Sequence, residues 1–423
     1  MAEKNHMDLL TVLENILDSD PLIDELGFIH PLQFLTLDKE DAGSGMSSGN
    51  ILQSEDGVLN SRSLEGLSYV PFWCRDHKLG ISTEILMPLY GAAKCAFISV
   101  YEKYKVQTNV CMNKDEFPGG MKKSMSFPFS IIEAEVMRHS RVLLLLSSDY
   151  GTAWNARKLV LSSKQEVQYF VDELFFSDLV LSYFHKSDMT WSHRRWLIKK
   201  IVTMHPYVQD IVEKESELVQ KLAEKSKMNY RAWNHRCWLV SYMTEGQVLH
   251  ELNKSKEWAG LNVADSSCFH YRTRLMLKML GDSSTRHSGN VEIRQAWNEE
   301  LEWNKLLLLR YAGREALWIY RRFLSLCWKK NFASGTPQSD EDVFIIDELG
   351  FVCSCLSIPN DDFGDYQTNS TLAAAYALWL LKQIRDDIGI EIHENVPVIE
   401  LKDAINKIYP GKFFLQCALP KKA

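Results

Sequence analysis

Apolar positions recur along most of this chain every three to four residues, the spacing of a helix that buries one face. Residues 6–18 show it first, then 81–104 and 129–147. Beyond these it comes in pairs: 165–183 is followed by a stretch around Trp191, and 210–226 by a stretch around Trp233. Short polar segments separate the two members, His185-Lys186-Ser187-Asp188 in one pair and Lys227-Met228-Asn229-Tyr230 in the other. The pattern predicts a succession of helix-turn-helix hairpins in an all-α protein.

The second helix of each predicted hairpin opens on a common signature. It reads Trp154-Asn155-Ala156-Arg157, Trp191-Ser192-His193-Arg194, Trp233-Asn234-His235-Arg236, Phe269-His270-Tyr271-Arg272 and Trp318-Ile319-Tyr320-Arg321. The aromatic anchors are 37, 42, 36 and 49 residues apart, periods that mark an array of stacked supersecondary units. Residues three apart share a helical face, so each unit presents an aromatic ring beside a guanidinium. The ring supplies buried area, and Arg can fork onto a carboxylate or carbonyl of the next unit. The structural reading of Trp154, Arg157, Trp191, Arg194, Trp233, Arg236, Phe269, Arg272, Trp318 and Arg321 is therefore hairpin-to-hairpin packing. His193 and His235 lie inside the signature and are expected to bond neighbouring hairpins, which leaves little room for a general base.

The remaining segments suggest four regions. Residues 1–68 hold the N-terminal helix and, at 41–66, a Ser-, Gly-, Asn- and Asp-rich stretch read as a flexible insertion. Residues 69–147 form an atypical first hairpin with a loop at 107–128 centred on Pro118-Gly119-Gly120. The repeats occupy 148–330, with a break at 281–290 that accounts for the longest spacing. Residues 331–423 read as a divergent helical cap, with an apolar helix at 371–384 and a short one near 399–408.

Composition narrows the function. A net charge of −7 argues against a general nucleic-acid binder. The nine cysteines show no zinc-finger spacing, and their odd number without a secretory signal fits reduced thiols in the cytosol or nucleus, with a cytoplasmic protein expected. No apolar run approaches the roughly 18 residues needed to cross a bilayer, so membrane insertion is not expected. Phosphate loops, nucleophile elbows and dinucleotide fingerprints are absent from the sequence.

Hairpins opening on Trp-x-His-Arg-Arg-Trp resemble the α-subunit repeats of protein prenyltransferases. Further matches are His77-Lys78-Leu79-Gly80-Ile81, Asp149-Tyr150-Gly151-Thr152-Ala153-Trp154-Asn155, Asn229-Tyr230-Arg231-Ala232-Trp233 and Lys256-Glu257-Trp258-Ala259. The likeness covers roughly 69–330. It implies a right-handed superhelical crescent of helix pairs around a β subunit that carries the zinc ion and most of the lipid pocket. This chain would then bind no cofactor of its own. The implied partner is a Rab geranylgeranyltransferase-type β subunit, in a type III geranylgeranyltransferase-like enzyme. The substrates would be a prenyl diphosphate and a protein with a C-terminal cysteine, which can already carry another lipid.

In that family a Lys five residues before the repeat Trp meets the lipid diphosphate, and Lys186 holds that place before Trp191. The next turn of the family carries a Tyr-His pair near lipid and peptide; here Tyr230 keeps the Tyr and Arg231 stands for His. The resemblance thus implies catalytic roles for Lys186 and Tyr230 and substrate contacts for Arg231 and Lys227. The plain alternatives are solvated turn lysines and a Tyr230 packed under its own Trp233. Where the family often has Gln to hold a peptide carboxylate, this chain has Met189, preceded by Asp188, which speaks against ordinary Cys-a-a-X recognition. A second reading from another class is a helical scaffold that kept the array and lost the catalytic contribution.

Overall fold

The computed structural model describes residues 2–31, 33–34, 71–112, 126–204, 209–283, 290–333, 338–356 and 365–388. The expected insertion at 41–66, the helix near 399–408, residues 113–125 of the expected loop and 284–289 of the expected break lie outside them. Two compact units divide the chain, Met1–His235 and Arg236–Ala423.

The first unit begins with α1 (Ala2–Ser19), followed by three short strands, β1 (Glu25–Ile29), β2 (Phe72–Arg75) and β3 (Lys78–Ser82). The helical periodicity does not announce this sheet. Its central strand β3 pairs parallel with β1, Glu25 opposite Lys78, and antiparallel with β2, Phe72 opposite Ile81. The β2–β3 turn requires left-handed backbone at Asp76 (φ 49°) and His77 (φ 61°), a conformation usually left to Gly or Asn. Asp20 supports it, with its Oδ1 2.9 Å from His77 Nδ1, and the Asp24 N–H donates to the His77 carbonyl.

The first helical hairpin pairs α2 (Leu86–Met112) with α3 (Ser126–Leu146). Here the sequence expectation needs correction: residues 107–112 and 126–128 are helical, not loop. An aromatic column, Phe97–Tyr101–Tyr104–Phe129, joins the two helices with centroid spacings of 5.5, 6.4 and 5.5 Å and carries the packing towards their ends. Then come α4 (Gly151–Ser162), α5 (Val167–Tyr183), α6 (Asp188–Met204), α7 (Gln209–Lys225) and α8 (Tyr230–Leu239), whose first turns belong to this unit. One core gathers Leu10, Leu13, Leu79, Ile81, Phe97, Leu144, Trp154 and Val180. A second holds Leu181, Trp191, Val219, Leu222 and Ala232.

The second unit contains α9 (Glu245–Leu261), α10 (Ser266–Ser283), α11 (Asn290–Arg310), α12 (Glu315–Trp328), α13 (Gln338–Leu356) and α14 (Asp365–Ile388). The break expected from residue 281 starts later, since α10 runs to Ser283. In all five repeats the aromatic anchor is the fourth residue of its helix. Every anchor is at most 3% exposed. Burying rings of this size contributes on the order of 2–3 kcal/mol each from area alone.

Each signature Arg reaches a buried glutamate on the next hairpin. In the first unit Arg157 pairs with Glu173 on α5, and Arg194 with Glu215 on α7. In the second, Arg236 pairs with Glu251, Arg272 with Glu300 and Arg321 with Glu348. Spare guanidinium protons go backwards to the preceding helix. Arg157 Nη1 donates to Met137 O (2.7 Å), Arg194 Nη1 to Leu174 O (2.8 Å), and Arg272 Nη1 to Leu252 O (2.6 Å).

In the last four signatures the residue just before the Arg completes the glutamate. His193 Nε2 lies 2.9 Å from Glu173, His235 Nε2 2.8 Å from Glu215, Tyr271 Oη 2.6 Å from Glu251 and Tyr320 Oη 2.8 Å from Glu300. The histidines thus bond the first helix of their own hairpin, where that helix receives Arg from the hairpin before. Burial alone would raise the Glu173 carboxyl. The Arg157 charge and the hydrogen bonds from His193 and Arg157 outweigh it and hold the group at about 2.

At the first and last hairpins of the described residues only half of the motif is present. Twenty residues before Ala156, in the first signature, stands Val136, so a buried apolar pair replaces Glu and His. At the other end Glu348 accepts from Arg321 and from Tyr376 Oη (2.5 Å), so α13 and α14 form a further hairpin in the region read as a divergent cap. There Ala374 and Ala377 stand where Trp and the outgoing Arg would be. Among the described residues no hairpin follows α14 to receive a guanidinium from it.

Candidate functional site

The site residues singled out by the sequence lie at two turns of the first unit, Lys186 in 184–187 and Lys227, Tyr230 and Arg231 in or just after 226–229, and the turn 147–150 bonds to the first of them. The turns 147–150 and 184–187 are pinned by the helices they feed: Trp154 Nε1 donates to Ser148 O (2.8 Å) and Trp191 Nε1 to His185 O (3.1 Å). Side chains also cap those helices. Ser187 Oγ accepts from the Thr190 N–H and Asn229 Oδ1 from the Ala232 N–H, satisfying donors the helix leaves unpaired. The same residues stitch turn to turn, since Ser187 Oγ donates to Asp149 Oδ1 (3.2 Å) and Asn229 Nδ2 to His185 O (3.0 Å). The three turns therefore form one continuous polar edge.

Lys186 stands on this edge, exposed and without an ion-pair partner among the described residues. The equivalent position, two residues before each second helix, holds Asp149, Met228, Ala264 and Gly313 in the other repeats. Lys186 is the one cation in the set. Lys227 is exposed in the following turn, next to Met228, whose left-handed backbone (φ 55°) makes the corner. Tyr230 is 56% exposed, so it does not pack under Trp233, and its ring lies 5.1 Å from the Arg231 guanidinium.

Arg231 is not open to a new anion. Its Nε donates to Asp188 Oδ1, bridging adjacent turns, and Asp149 adds a second favourable charge. The same hydrogen bond lowers the Asp188 carboxyl, so the charge expected to repel a peptide carboxylate is already matched. Met189 (46%), Met228 (66%) and Tyr230 expose apolar surface around the two lysines.

His193 and His235 are fully buried. Burial lowers both imidazoles, against the raising effect of their glutamates, and neither reaches this edge. The residues that sequence reasoning missed are the acceptors Glu173, Glu215, Glu251 and Glu300. A signal for them exists: a Glu lies twenty residues before the His or Tyr of the signature in each of these four repeats. Among the described residues no group of three or more His, Cys, Asp or Glu is placed to hold a metal ion, and no helix is long and apolar enough to cross a membrane.

Comparison with known proteins agrees with this architecture. Residues 212–243 match the family model of the protein prenyltransferase alpha subunit repeat. The chain is 30% identical over 248 residues to protein prenyltransferase alpha subunit repeat-containing protein 1-B of Xenopus laevis, covering 47% of this chain and 57% of that protein. The Homo sapiens protein prenyltransferase alpha subunit repeat-containing protein 1 is 29% identical over 229 residues, covering 43% and 56%. Geranylgeranyl transferase type-2 subunit alpha of Saccharomyces cerevisiae is 25% identical over 188 residues, covering 43% and 52%. The chain thus spans a little over half the length of these curated relatives. With the repeated Trp-x-x-Arg helices and the match at 212–243, it is similar to the protein prenyltransferase alpha subunit repeat family.

Proposed function

We propose that this chain is the α-type subunit of a heterodimeric protein prenyltransferase that moves a geranylgeranyl group from its diphosphate to a protein cysteine. The observation that carries the reading is Lys186, the single cation at its turn position, exposed among Met189, Met228 and Tyr230. The likeness to geranylgeranyl transferase type-2 subunit alpha supports the same assignment. The partner is a β subunit of the Rab geranylgeranyltransferase kind, which docks on the turn edge and brings the lipid pocket.

In the transfer the cysteine sulfur forms a bond to C1 of the prenyl chain while the C1–O bond breaks. The diphosphate leaves with that electron pair, and the thiol proton passes to solvent. A zinc ion held by the partner subunit would favour the ionised form of the cysteine thiol. Lys186 contributes where negative charge grows on the departing diphosphate, the placement at which a fixed cation lowers a barrier. Lys227 adds positive potential, and Tyr230 presents a hydroxyl and a ring face at the lipid entrance. A substrate that already bears one lipid suits an edge with Met189 in place of a carboxylate-holding amide.

Co-expression with a Rab geranylgeranyltransferase β subunit, followed by size-exclusion chromatography and zinc analysis of the peak, tests the assignment. A one-to-one complex with about one zinc, active on a C-terminal cysteine protein, is expected. A chain that elutes alone removes the proposal and leaves a helical scaffold.

A further inference from the structure

The three-stranded sheet has no part in the repeat signature, yet one of its edges lies against the turns that carry Lys186 and Lys227. The Leu26 N–H of β1 donates to Ser182 Oγ (2.9 Å), four residues before Lys186. Phe28 sits edge-on to Tyr183 (4.5 Å) and Phe184 (6.2 Å), the residues that lead into that turn. Glu25 is shared: its Oε2 accepts from Lys78 (2.6 Å) within the sheet and its Oε1 from Lys225 (3.1 Å), the last residue of α7. Lys225 also donates to Ser182 O (3.1 Å), closing a loop of contacts between the ends of α5 and α7. Both helix ends feed candidate turns, one into 184–187 and the other into 226–229.

We propose that β1 is a positioning element for the anion-facing edge: through Glu25 and Phe28 it fixes the turn of Lys186 relative to the turn of Lys227 and Tyr230. The proposal rests on the reading of Lys186 given above. The turn-to-turn bonds from Ser187 and Asn229 set the heights of the turns, and the strand adds a brace from the side. The brace belongs to the sequence outside the repeats. A flexible turn Lys loses much of its value as a charge stabiliser, because misplacement by an ångström at a reacting centre costs up to ~10²-fold in rate.

Two measurements on the full chain decide the matter. Hydrogen exchange of segments 184–190 and 226–232 is compared between the parent and the Phe28→Ala and Glu25→Gln variants. Exchange about tenfold faster in both segments, with 262–268 unchanged, is expected for a lost brace. Unchanged exchange at 184–190 in both variants overturns the proposal. Glu25→Gln changes a half-buried surface carboxylate and guards against a Phe28→Ala chain that merely misfolds.

In the complex with the β subunit, Phe28→Ala is expected to lower kcat about tenfold with little change in KM for the prenyl diphosphate, and to cause no further loss in a Lys186→Ala background. Additive losses would show that the strand acts elsewhere. If the parent complex forms no prenylated product, the enzymatic reading falls, and hydrogen exchange alone then decides whether β1 braces the turns.

Discussion

Arg157 and Glu173 are joined by two parallel hydrogen bonds, Nε to Oε1 at 2.7 Å and Nη2 to Oε2 at 2.5 Å, with neither side chain more than 4% exposed. His193 occupies the remaining approach to the same carboxylate, with its ring 4.5 Å from the Trp154 ring. Two charges taken out of water in this way cost several kcal/mol each unless the geometry is good and the spare lone pairs and protons are matched. The backward bonds of Arg157 to Met137 O and Ser140 Oγ do that matching. The pair therefore fixes which hairpin stacks on which more than it adds net stability.

Removing one partner should be far worse than removing both. Glu173→Ala leaves a buried guanidinium uncompensated and is expected to cost about 3–5 kcal/mol in the Met1–His235 unit. Glu173→Met combined with Arg157→Met should recover most of that loss. Urea unfolding followed by segment-resolved hydrogen exchange makes the comparison. A Glu173→Ala loss below about 0.5 kcal/mol would count against the ladder as a stacking device.

The two units should respond differently to acid. Burial holds His193 and His235 below their ordinary 6.5, so the neutral ring belongs to the folded state. Their contribution is fully present above the unfolded value of 6.5 and is lost as pH falls below it towards the folded pKa. Glu173 and Glu215, held at about 2 against an ordinary 4.5, add a second loss below 4.5. In the second unit Tyr271, Tyr320 and Tyr376 stand at the same positions, with burial raising their phenols well above 10, and they do not titrate in this range. Asp178, raised to about 6 by burial, takes up a proton in the folded state and offsets part of this loss. With two histidines against one carboxyl, the hydrogen-exchange stability of Met1–His235 should still fall more steeply between pH 7 and 5 than that of Arg236–Ala423. His193→Tyr with His235→Tyr should flatten the difference; an unaltered slope would refute this assignment.

Lys186→Ala should leave the fold and the association with a β subunit intact, since the side chain is exposed and makes no ion pair among the described residues. Turnover should drop by on the order of 10²-fold, as for removal of one charge-stabilising donor. Steady-state kinetics with co-purified complex reads both quantities. Undiminished turnover would reassign the diphosphate contact.

Asp188→Asn should release Arg231 for an incoming anion. The pair is solvent-accessible, with side chains 29% and 64% exposed, so its loss should change stability by less than about 1 kcal/mol. Affinity of the complex for inorganic pyrophosphate, measured by calorimetry, should tighten about two- to fivefold once the competing carboxylate is gone. Weaker binding would mean that Asp188 orients Arg231 for the anion.

What the sequence by itself determined is the repeated unit. An aromatic residue and an Arg three apart define a helical face wherever they occur, and polar turns at near-regular periods define the hairpins, because both are consequences of local geometry. The position of Lys186 relative to Trp191 was legible for the same reason. The partners of the arginines were not. From Arg to Glu the separation is 16, 21, 15, 28 and 27 residues, since it crosses turns of different length, and only stacking brings the charges together. Strands of four and five residues carry too few alternating positions to be read, and β1 meets β3 at a separation of 53 residues. The pairing of Arg231 with Asp188, and the strand against the Lys186 turn, were decided by tertiary structure, because each depends on the end of one hairpin lying beside the end of another.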